Sequence, residues 1–468
     1  MTTPAQRPDI LLIISDDHGY GDLSADPTAE GLRTPHLDRL RGSGTTFTRG
    51  YVTAPICSPS RAGLIAGAHQ ARWGARWFDT SAFPPEGRGV GPEALRRAGY
   101  RTGYFGKIHY GPDTPGSRSC PEQHGFDDSL YGIAAQSMGR LHYLTHSAGA
   151  AEAEPEVALR HGTHPLYDAG TPVDTDTHLT ELFTDRALDF LARGQDSEQP
   201  SFCMVAFNAV HNFTWQLPEE ELERHGLRAH PDFDPSVEEY VDWYDGAISP
   251  NLPNGRAYYL AQLELMDRHI GRLLDAVEES PRAESTLVIY LTDNGGSTCN
   301  FGDNTPLDGT KYTLYEGGIR VPFLVRWPGH AAPGSVSDEL VSSLDLMPTF
   351  LSAAGIPEAA SAMDGQDLAP VLAGTAPGHD ALYFDTGAQQ AVVRRDVKWR
   401  RLTEDSGAMR EALQRVEHTD IGDGEHLVTF ENGLADEKHA ATPSPDDPRL
   451  VALREEFHRW QAEVTPAP

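Results

Sequence analysis

Residues 10–19 read ILLIISDDHG, five apolar residues and a serine followed at once by two aspartates. A continuous apolar run of this length is typical of a strand that is buried on both faces of a sheet. Similar runs recur along the chain at Tyr100–Phe105, Ser201–Phe207, Thr286–Leu291 and Val321–Trp327. Helical patterns lie between them at Pro92–Ala98, Thr177–Arg193 and Gly255–Glu279. The alternation predicts an α/β fold with a large mixed, mostly parallel sheet sandwiched by helices.

The composition changes near residues 373–380, where small residues, Pro and Gly accumulate. Beyond this point we predict short strands at Ala381–Thr386, Ala391–Arg395, Lys398–Leu402 and His426–Phe430, and a closing helix at Pro448–Val464. Residues 1–375 are therefore predicted to form a large α/β domain, and residues 376–468 a smaller C-terminal α+β subdomain with a small sheet and the closing helix. Three segments rich in Gly, Pro and Asp are predicted to be long loops: 112–175, 212–254 and 297–310.

The charge composition limits the classes of partner. The 468 residues include 38 Lys and Arg against 69 Asp and Glu, a formal net charge of −31. Such a field repels polyanions, so we expect no nucleic-acid partner and no anionic membrane. The N-terminal residues 1–9 do not resemble a secretory signal, no apolar run approaches a membrane span, and the 4 cysteines are too sparse for a disulfide scaffold. We expect a soluble, cytoplasmic protein.

Polar residues follow two of the predicted strands. Asp16 and Asp17 follow the first strand, and Asp293 and Asn294 follow the strand at Thr286–Leu291. In α/β sheets, ligands bind beyond the carboxyl ends of the strands. Each group alone could form only a solvated turn, but together they would crowd three carboxylates into one crevice. Oxygen ligands of this kind suit a hard divalent cation, Ca²⁺ or Mg²⁺.

The segment CSPSRAG at residues 57–63 predicts the start of a helix. Ser58 suits the N-cap position and Pro59 the first helical turn. Cys57 would then precede a helix N-terminus, which favours an anion, and Arg61 adds a cation suited to an oxyanion. The alternative is a buried structural cysteine beside a capped helix.

These residues resemble a known family. Residues 57–61 match the C-x-P-x-R signature of the type I sulfatases, in the alkaline phosphatase superfamily. Further segments resemble sulfatase motifs in family order: Asp16–Asp22 (DDHGYGD), Thr34–Leu40 (TPHLDRL), Gly99–His109 (GYRTGYFGKIH), Thr292–Gly295 (TDNG), and Lys311 with Tyr315–Pro322 (YEGGIRVP). The resemblance spans most of the chain and implies a sulfuric ester hydrolase.

The resemblance also implies a modified nucleophile. In this family a formylglycine-generating enzyme oxidises the signature cysteine, here Cys57, to formylglycine. The hydrated aldehyde carries two hydroxyl groups: one attacks sulfur, and the other expels sulfate by collapse back to the aldehyde. The remaining roles follow by position, and the cation ligands would be Asp16, Asp17, Asp293 and Asn294, together with the modified Cys57.

Five further residues receive catalytic roles from the resemblance. Arg61 would steady the formylglycine hydrate, and Lys107 and His109 would hold the hydrate and the sulfate oxygens. His211 and Lys311 would meet the leaving-group oxygen, with His211 the better general acid. Taken without their motifs, the two lysines are typical of surface lysines and the two histidines of ordinary loop histidines.

The substrate and two alternatives stay open at this point. The expected substrate is a small-molecule or saccharide sulfate ester. Residues 70–77 (QARWGARW) could line a pocket for a ring-bearing or anionic group, or could pack a tryptophan under a loop. The enzymatic alternative is a phosphonate monoester or phosphodiester hydrolase; those relatives typically carry Asp-His where this chain has Asp293-Asn294. The other alternative is a non-catalytic anion-binding protein with Cys57 unmodified.

Overall fold

We describe a computed structural model of the chain. It describes residues 7–24, 31–112, 114–133, 165–173, 175, 177–194, 197–231, 233–247, 251–403, 407–416, 424–440 and 442–465. In this part of the chain, no helix is both long enough and apolar enough to cross a membrane.

Sixteen strands are described. They are β1 Asp9–Ser15, β2 Thr45–Phe47, β3 Gly50–Tyr51, β4 Arg101–Lys107, β5 Asp128–Gly132, β6 Leu166–Asp168, β7 Thr171–Val173, β8 Ser201–Ala206, β9 Thr286–Thr292, β10 Phe323–Arg326, β11 Ser335–Ser337, β12 Val341–Ser342, β13 Ala381–Asp385, β14 Gln389–Arg394, β15 Val397–Leu402 and β16 Glu425–Thr429.

Twelve α-helices accompany them. They are α1 Pro35–Ser43, α2 Cys57–Ala66, α3 Gly91–Arg97, α4 Leu179–Ala192, α5 Glu219–His225, α6 Tyr240–Ala247, α7 Gly255–Glu278, α8 Glu316–Ile319, α9 Leu346–Ala353, α10 Ala369–Leu372, α11 Gly407–Val416 and α12 Pro448–Val464.

Ten strands form one mixed sheet in the order β11-β2-β10-β9-β1-β8-β4-β5-β6-β7. The five central strands β9, β1, β8, β4 and β5 run parallel, whereas β10 and β6 join them antiparallel on either side. The carboxyl ends of the parallel strands therefore meet at one edge of the sheet. The predicted fold class, a large mixed and mostly parallel sheet, is confirmed.

Strand β1 is buried on both faces, as its apolar run predicts. Leu12 and its neighbours at even positions pack into one core with helices α2, α3 and α9. Ile13 and its neighbours at odd positions pack into a second core with helices α1, α4 and α7. Because successive side chains of a strand point to opposite faces, one apolar run supplies both cores. Each buried Leu or Ile stabilises the fold by about 1.5–3 kcal/mol.

The C-terminal part of the chain forms a second, antiparallel sheet, β13-β14-β15-β16. One face packs on the main body, where Phe384 and Val393 contact a cluster containing Tyr51. The other face packs under α12 through Trp399 and Phe457. The four predicted strands and the closing helix are all present within a few residues of their expected bounds. The boundary at residue 375 stays a prediction.

Three details differ from the sequence predictions. Helix α2 begins at Cys57 with Ile56 as the N-cap residue, so the assignment of the N-cap to Ser58 is wrong. Two segments predicted as loops contain regular structure: strands β5, β6 and β7 lie within 112–175, and helices α5 and α6 lie within 212–254. Helix α11 was not predicted, and residues 134–164 of the loop predicted over 112–175 lie outside the described residues.

Candidate active site

The strand register brings the predicted site residues to one edge of the sheet. Ser15 pairs with Thr292, so Asp16 and Asp293 leave neighbouring strands side by side. Gly106 pairs with Ala206 in the parallel β4–β8 ladder, which places Lys107 at the same edge. Parallel strands that end in register therefore deliver the two acidic segments and the lysine to one crevice.

Asp16 is fully buried and is surrounded by cations. Lys107 forms a buried ion pair with Asp16, and Arg61 Nη2 lies 3.5 Å from Asp16 Oδ2. Burial opposes ionisation of the carboxyl, but the charges of Lys107, His211 and Arg61 outweigh it and hold the pKa of Asp16 well below its usual range. Asp16 is therefore an anion in the folded protein.

Asp17 is fully buried and receives several donors. Lys311 Nζ lies 2.8 Å from Oδ1, and the amides of Asn294 and Asn300 donate to the carboxylate at 2.7 and 2.6 Å. Burial, together with the like charges of Asp16 and Asp293, raises the pKa of Asp17 to about 7 against the opposing charge of Lys311. Three carboxylates thus share one buried volume, which favours a cation between them.

Cys57 is the first residue of α2 and is 2% exposed. Its thiol lies 3.4 Å from Asp16 Oδ1, to which it donates. Burial and the negative charges of Asp16 and Asp293 raise the pKa of this thiol well above its usual value. An unmodified Cys57 is therefore a neutral thiol and a poor nucleophile, because the thiolate is the reactive form.

Arg61 lies one helical turn after Cys57 and connects two strand ends. Its Nε donates to Asp293 Oδ2 at 2.6 Å, and its Nη1 donates to the carbonyl oxygen of Lys107 at 2.9 Å. The hydroxyl of Tyr104 donates to the same carbonyl oxygen at 2.6 Å. Although burial opposes it, the charges of Asp293 and Asp16 raise the pKa of Arg61, which stays fully protonated.

The two predicted histidines lie in the same region. His211 is 6% exposed, and its Nε2 lies 3.5 Å from Asp17 Oδ2. The backbone N–H of Asn212 donates to His211 Nδ1 at 2.7 Å, so in the neutral ring the proton resides on Nε2. Both ring nitrogens of the buried His109 are without a hydrogen-bond partner among the described residues. Burial and the cations Lys107 and Arg61 hold the pKa of His109 well below its usual value, so His109 is neutral.

The site contains donor atoms that could hold a metal ion. Ligand atoms of Asp16, Asp17, Cys57 and His211 all lie within 4.8 Å of one another. Asn294 Oδ1 is buried and without a hydrogen-bond partner among the residues that the structure describes. A buried carbonyl oxygen left in this state is costly unless a cation or a donor reaches it. Carboxylate and amide oxygens suit Ca²⁺ or Mg²⁺.

Sequence reasoning missed Asn300 and Tyr104. Asn300 is 1% exposed and donates to Asp17 from a loop with no strand before it, so only its presence in the long segment 297–310 drew attention to this region. Tyr104 belongs to an apolar strand pattern, which does not record that its hydroxyl donates to the Lys107 carbonyl oxygen. A pattern of strand ends cannot find either residue.

Strained backbone concentrates around the site. Eight non-glycine residues of the described chain have positive φ. Two are Asp17 (φ 58°) and His109 (φ 43°), and three more lie within two residues of a site side chain: Phe213, Phe301 and Tyr312. Non-glycine residues in this region of φ cost about 1–3 kcal/mol each and cluster at functional sites.

The comparison with known proteins agrees with this geometry. The family model for sulfatases matches residues 8–356, which is most of the chain. The chain belongs to the sulfatase family. The resemblance found in the sequence motifs is thereby confirmed.

This sulfatase is similar to human arylsulfatase A, with 32% identity over 395 residues that cover 81% of this chain and 71% of the relative. It is 30% identical over 393 residues to human N-acetylgalactosamine-6-sulfatase, covering 78% of this chain and 66% of that enzyme. The crystal structure of Ps i-CgsB in complex with k-i-k-neocarrahexaose superposes with a TM-score of 0.77 at 25% identity, covering 99% of this chain and 94% of the other. The sulfatase is accordingly a sulfuric ester hydrolase.

Proposed function

We propose that this sulfatase hydrolyses the sulfate ester of a saccharide to alcohol and sulfate, with formylglycine made from Cys57 as nucleophile and Ca²⁺ as the resident ion. The observation that supports the proposal is the position of Cys57: it is buried at the start of α2 and donates to the ionised Asp16. Arg61 and Lys107 both contact the same carboxylate. Cys57 therefore lies close to two positively charged side chains, Arg61 and Lys107, which are suited to binding the negatively charged sulfate group.

Charge balance explains how an acidic protein binds an anion. The buried carboxyl groups of Asp16, Asp17 and Asp293 are matched by three buried basic side chains, those of Arg61, Lys107 and Lys311. A bound divalent cation then leaves the crevice with a net positive charge. At short range and in a water-poor site, this local charge outweighs the net −31 of the whole chain. The oxygens of Asp16, Asp17, Asp293 and Asn294 would hold the ion, which orients a sulfate oxygen and offsets developing charge.

The residues around Cys57 are suited to a hydroxyl nucleophile at this position. When formed, formylglycine supplies a hydrated aldehyde whose one hydroxyl attacks sulfur and whose other hydroxyl expels sulfate. Asp16 Oδ1 lies where it accepts a hydrogen bond from the side chain of residue 57, and it would orient that hydroxyl. Arg61 and Lys107 would offset the charge on the sulfate oxygens. His109, neutral and with both ring nitrogens still available, would hydrogen-bond to an oxygen of the hydrate or the sulfate.

The leaving oxygen needs a proton, and His211 can supply it. The Nε2 of His211 faces Asp17, whereas its Nδ1 lies against the N–H of Asn212. As the imidazolium, His211 would donate its Nε2 proton to the leaving alkoxide as general acid, and the neutral ring that remains would accept from the Asn212 N–H at Nδ1. Lys311, whose pKa is raised well above its usual value because Asp17 outweighs the effect of burial, stays charged and would stabilise the same oxygen.

The relatives support a saccharide as the sulfated alcohol. N-acetylgalactosamine-6-sulfatase acts, by its name, on a sulfated amino sugar, and Ps i-CgsB was crystallised with k-i-k-neocarrahexaose. Both likenesses extend over most of this chain. We therefore place the substrate among sulfated saccharides, ahead of other small-molecule sulfate esters.

Peptide mass spectrometry of the segment around Cys57 tests the nucleophile. Protein purified from its native host should carry an aldehyde in place of the thiol, and the same sample should release sulfate from N-acetylgalactosamine 6-sulfate. An intact thiol throughout a sample that turns over substrate would refute the formylglycine mechanism. An aryl phosphodiester serves as control substrate, and a higher kcat/KM for it would assign the chain to diester hydrolysis. Activity after chelation, restored by Ca²⁺ in preference to Mg²⁺, tests the ion.

A further inference from the structure

An aromatic pair lies beside the lysine that contacts Asp17. Tyr312 directly follows Lys311, whose Nζ lies 5.3 Å from the centre of the Tyr312 ring. The same Nζ lies 2.8 Å from Asp17 Oδ1. The ring centre of Trp77 lies 6.0 Å from that of Tyr312. Both aromatic residues are partly exposed, so a wall of two rings adjoins the crevice one side chain away from the catalytic charges.

The backbone of Tyr312 is strained. Its φ of 70° lies in the left-handed region, which glycine or asparagine adopts at lower cost. Nothing in the turn itself requires a large side chain: the Tyr312 N–H donates to the carbonyl oxygen of Pro55 at 2.7 Å through the backbone alone. A bulky residue held in such a conformation beside a catalytic lysine points to a function for its side chain.

The two segments that carry the rings contact the C-terminal sheet. Gln389, fully buried at the start of β14, donates from Nε2 to the Tyr312 carbonyl oxygen at 2.7 Å, and its Oε1 accepts from the Leu314 N–H at 3.0 Å. Arg76, next to Trp77, reaches Asp385 at the end of β13 with Nη2 3.6 Å from Oδ2. The backbone that carries the two rings is thus held by contacts to the C-terminal sheet, and less chain entropy is lost when a ligand binds to segments already held in this way.

We propose that Tyr312 and Trp77 bind the sugar ring that carries the scissile sulfate, and so select sulfated pyranosides. The apolar faces of the two rings would pack against the C–H faces of the pyranose, while the phenol hydroxyl and indole N–H provide polar contacts to its hydroxyl groups. This inference rests on the proposed function and names the residues that give the site its substrate class.

The rings have another possible role, which the test must separate from substrate binding. Tyr312 also packs against a small cluster of Tyr315, Leu402 and Leu413. A purely structural side chain would affect stability and all substrates alike. A substrate-binding side chain would affect KM, and only for substrates that carry a ring.

The experiment compares Tyr312→Asn and Trp77→Ala with the wild-type enzyme on three sulfate esters. Asparagine removes the ring yet tolerates positive φ. On N-acetylgalactosamine 6-sulfate we expect KM to rise about 10-fold in each variant, with kcat changed less than about 3-fold. On propyl sulfate, which has no ring, we expect kcat/KM to stay within about 2-fold of wild type. Trp73→Ala is the matched control, since Trp73 lies in the same segment but contacts Arg88, and it should leave all KM values unchanged.

The outcomes are distinct. Equal losses on propyl sulfate and the sugar sulfate, or no loss on either, would overturn the inference. If the Tyr312→Asn and Trp77→Ala variants raised KM for 4-nitrophenyl sulfate alone, the two rings would bind aryl groups. That result would overturn the saccharide assignment. A wild-type enzyme with converted Cys57 that releases sulfate from none of the three esters would overturn the proposed function, and this inference with it.

Discussion

Two buried clusters of charges in this sulfatase invite comparison. The Cys57 cluster consists of the site residues at the carboxyl edge of the large sheet: Asp16, Asp17, Cys57, Arg61, Lys107, His109, His211, Asp293, Asn294 and Lys311. The Lys398 cluster joins the C-terminal sheet to the main body and consists of Tyr51, Glu316, Arg320, Lys398 and Glu437. Both exclude water almost completely, and both contain carboxylates paired with cations.

The Lys398 cluster pairs its charges internally. Lys398 Nζ lies 2.9 Å from an oxygen of Glu316 and 2.9 Å from an oxygen of Glu437. The hydroxyl of Tyr51 donates to Glu316 at 2.7 Å, and Arg320 Nη1 lies 3.5 Å from the same carboxylate. None of these residues has positive φ. Such a cluster connects two regions of the chain.

The Cys57 cluster differs in two respects. On His109 and Asn294 it retains buried polar atoms with no hydrogen-bond partner among the described residues, whereas Glu437 Oε1, which lacks a hydrogen bond in the Lys398 cluster, has an ion pair with Lys398 at 2.9 Å. The Cys57 cluster also contains the strained residues Asp17 and His109. A buried polar atom without a hydrogen-bond partner lowers the stability of the fold, and so does a strained backbone. Such features are typical of sites where a bound ligand provides the hydrogen bond that the protein lacks. Buried charge alone therefore does not identify an active site; the proposed site combines buried charge with unfilled hydrogen-bonding capacity and strained backbone.

The sharpest test of this contrast is removal of the thiol itself. Cys57→Ala should lower kcat/KM for a sulfate ester by about 10⁴-fold or more, because the nucleophile is absent. Cys203→Ala is the matched control, because Cys203 is equally buried but lies on strand β8 in the second hydrophobic core. Its loss should leave kcat/KM within about 2-fold. Steady-state sulfate release measures both. Retained turnover in Cys57→Ala would mean that the Cys57 cluster is structural.

The Lys398 cluster should show the opposite pattern. Lys398→Met leaves Glu316 and Glu437 buried without their shared cation, and it should lower the free energy of unfolding by about 3–5 kcal/mol. The folded enzyme should keep kcat/KM within about 3-fold, since Lys398 belongs to no part of the site. Urea denaturation measures the first quantity. The exposed Lys438, paired with Asp308 at 3.3 Å, is the control, and Lys438→Met should change stability by less than about 1 kcal/mol. If Lys398→Met left the free energy of unfolding unchanged, the Lys398 cluster would have no structural role and its contrast with the Cys57 cluster would be wrong.

Asn300 tests whether a neutral residue supports the proposed ion site. Its amide donates to Asp17 Oδ2 at 2.6 Å, so Asn300→Ala removes a group that orients a ligand carboxylate. The Ca²⁺ concentration for half-maximal activity should rise about 10–100-fold, as for other residues that orient metal ligands. Titration of the chelated enzyme measures it. Near-normal kcat at saturating Ca²⁺ is the internal control; a loss of kcat with unchanged Ca²⁺ dependence would assign Asn300 a role apart from the ion.

The smallest effect concerns a charge pair outside both clusters. His379 Nε2 lies 2.7 Å from Asp345 Oδ1, and although burial opposes it, Asp345 raises the pKa of His379 above 6.5. The pair therefore stabilises the fold fully below pH 6.5, and this stabilisation is lost as pH rises through the raised pKa. His379→Gln should cost on the order of 1 kcal/mol more at pH 5.5 than at pH 9. Thermal unfolding of both proteins at the two pH values measures it. An equal cost at both pH values would contradict the assignment.

Much of the fold was predictable because its signals are local. The five buried strands and the helices between them follow from apolar runs and periodicity, and the closing helix has the predicted bounds Pro448–Val464. The start of α2 was misplaced at Ser58 because a good N-cap residue lay one position inside the helix; the hydroxyl of Ser58 instead lies against that of Ser81. Short strands such as β2 and β11 escaped prediction, since pairing with neighbouring strands stabilises three residues that have no pattern of their own.

The candidate site shows the same division. The sequence alone determined which residue types follow which strands, because the end of a strand and the motif after it both consist of consecutive residues. Only the tertiary structure decided that Asn300 reaches Asp17 from 283 positions away, and that Gln389 of the second sheet holds the turn that carries Tyr312. Such contacts depend on how whole elements pack, and packing fixes distances between side chains that no local pattern records.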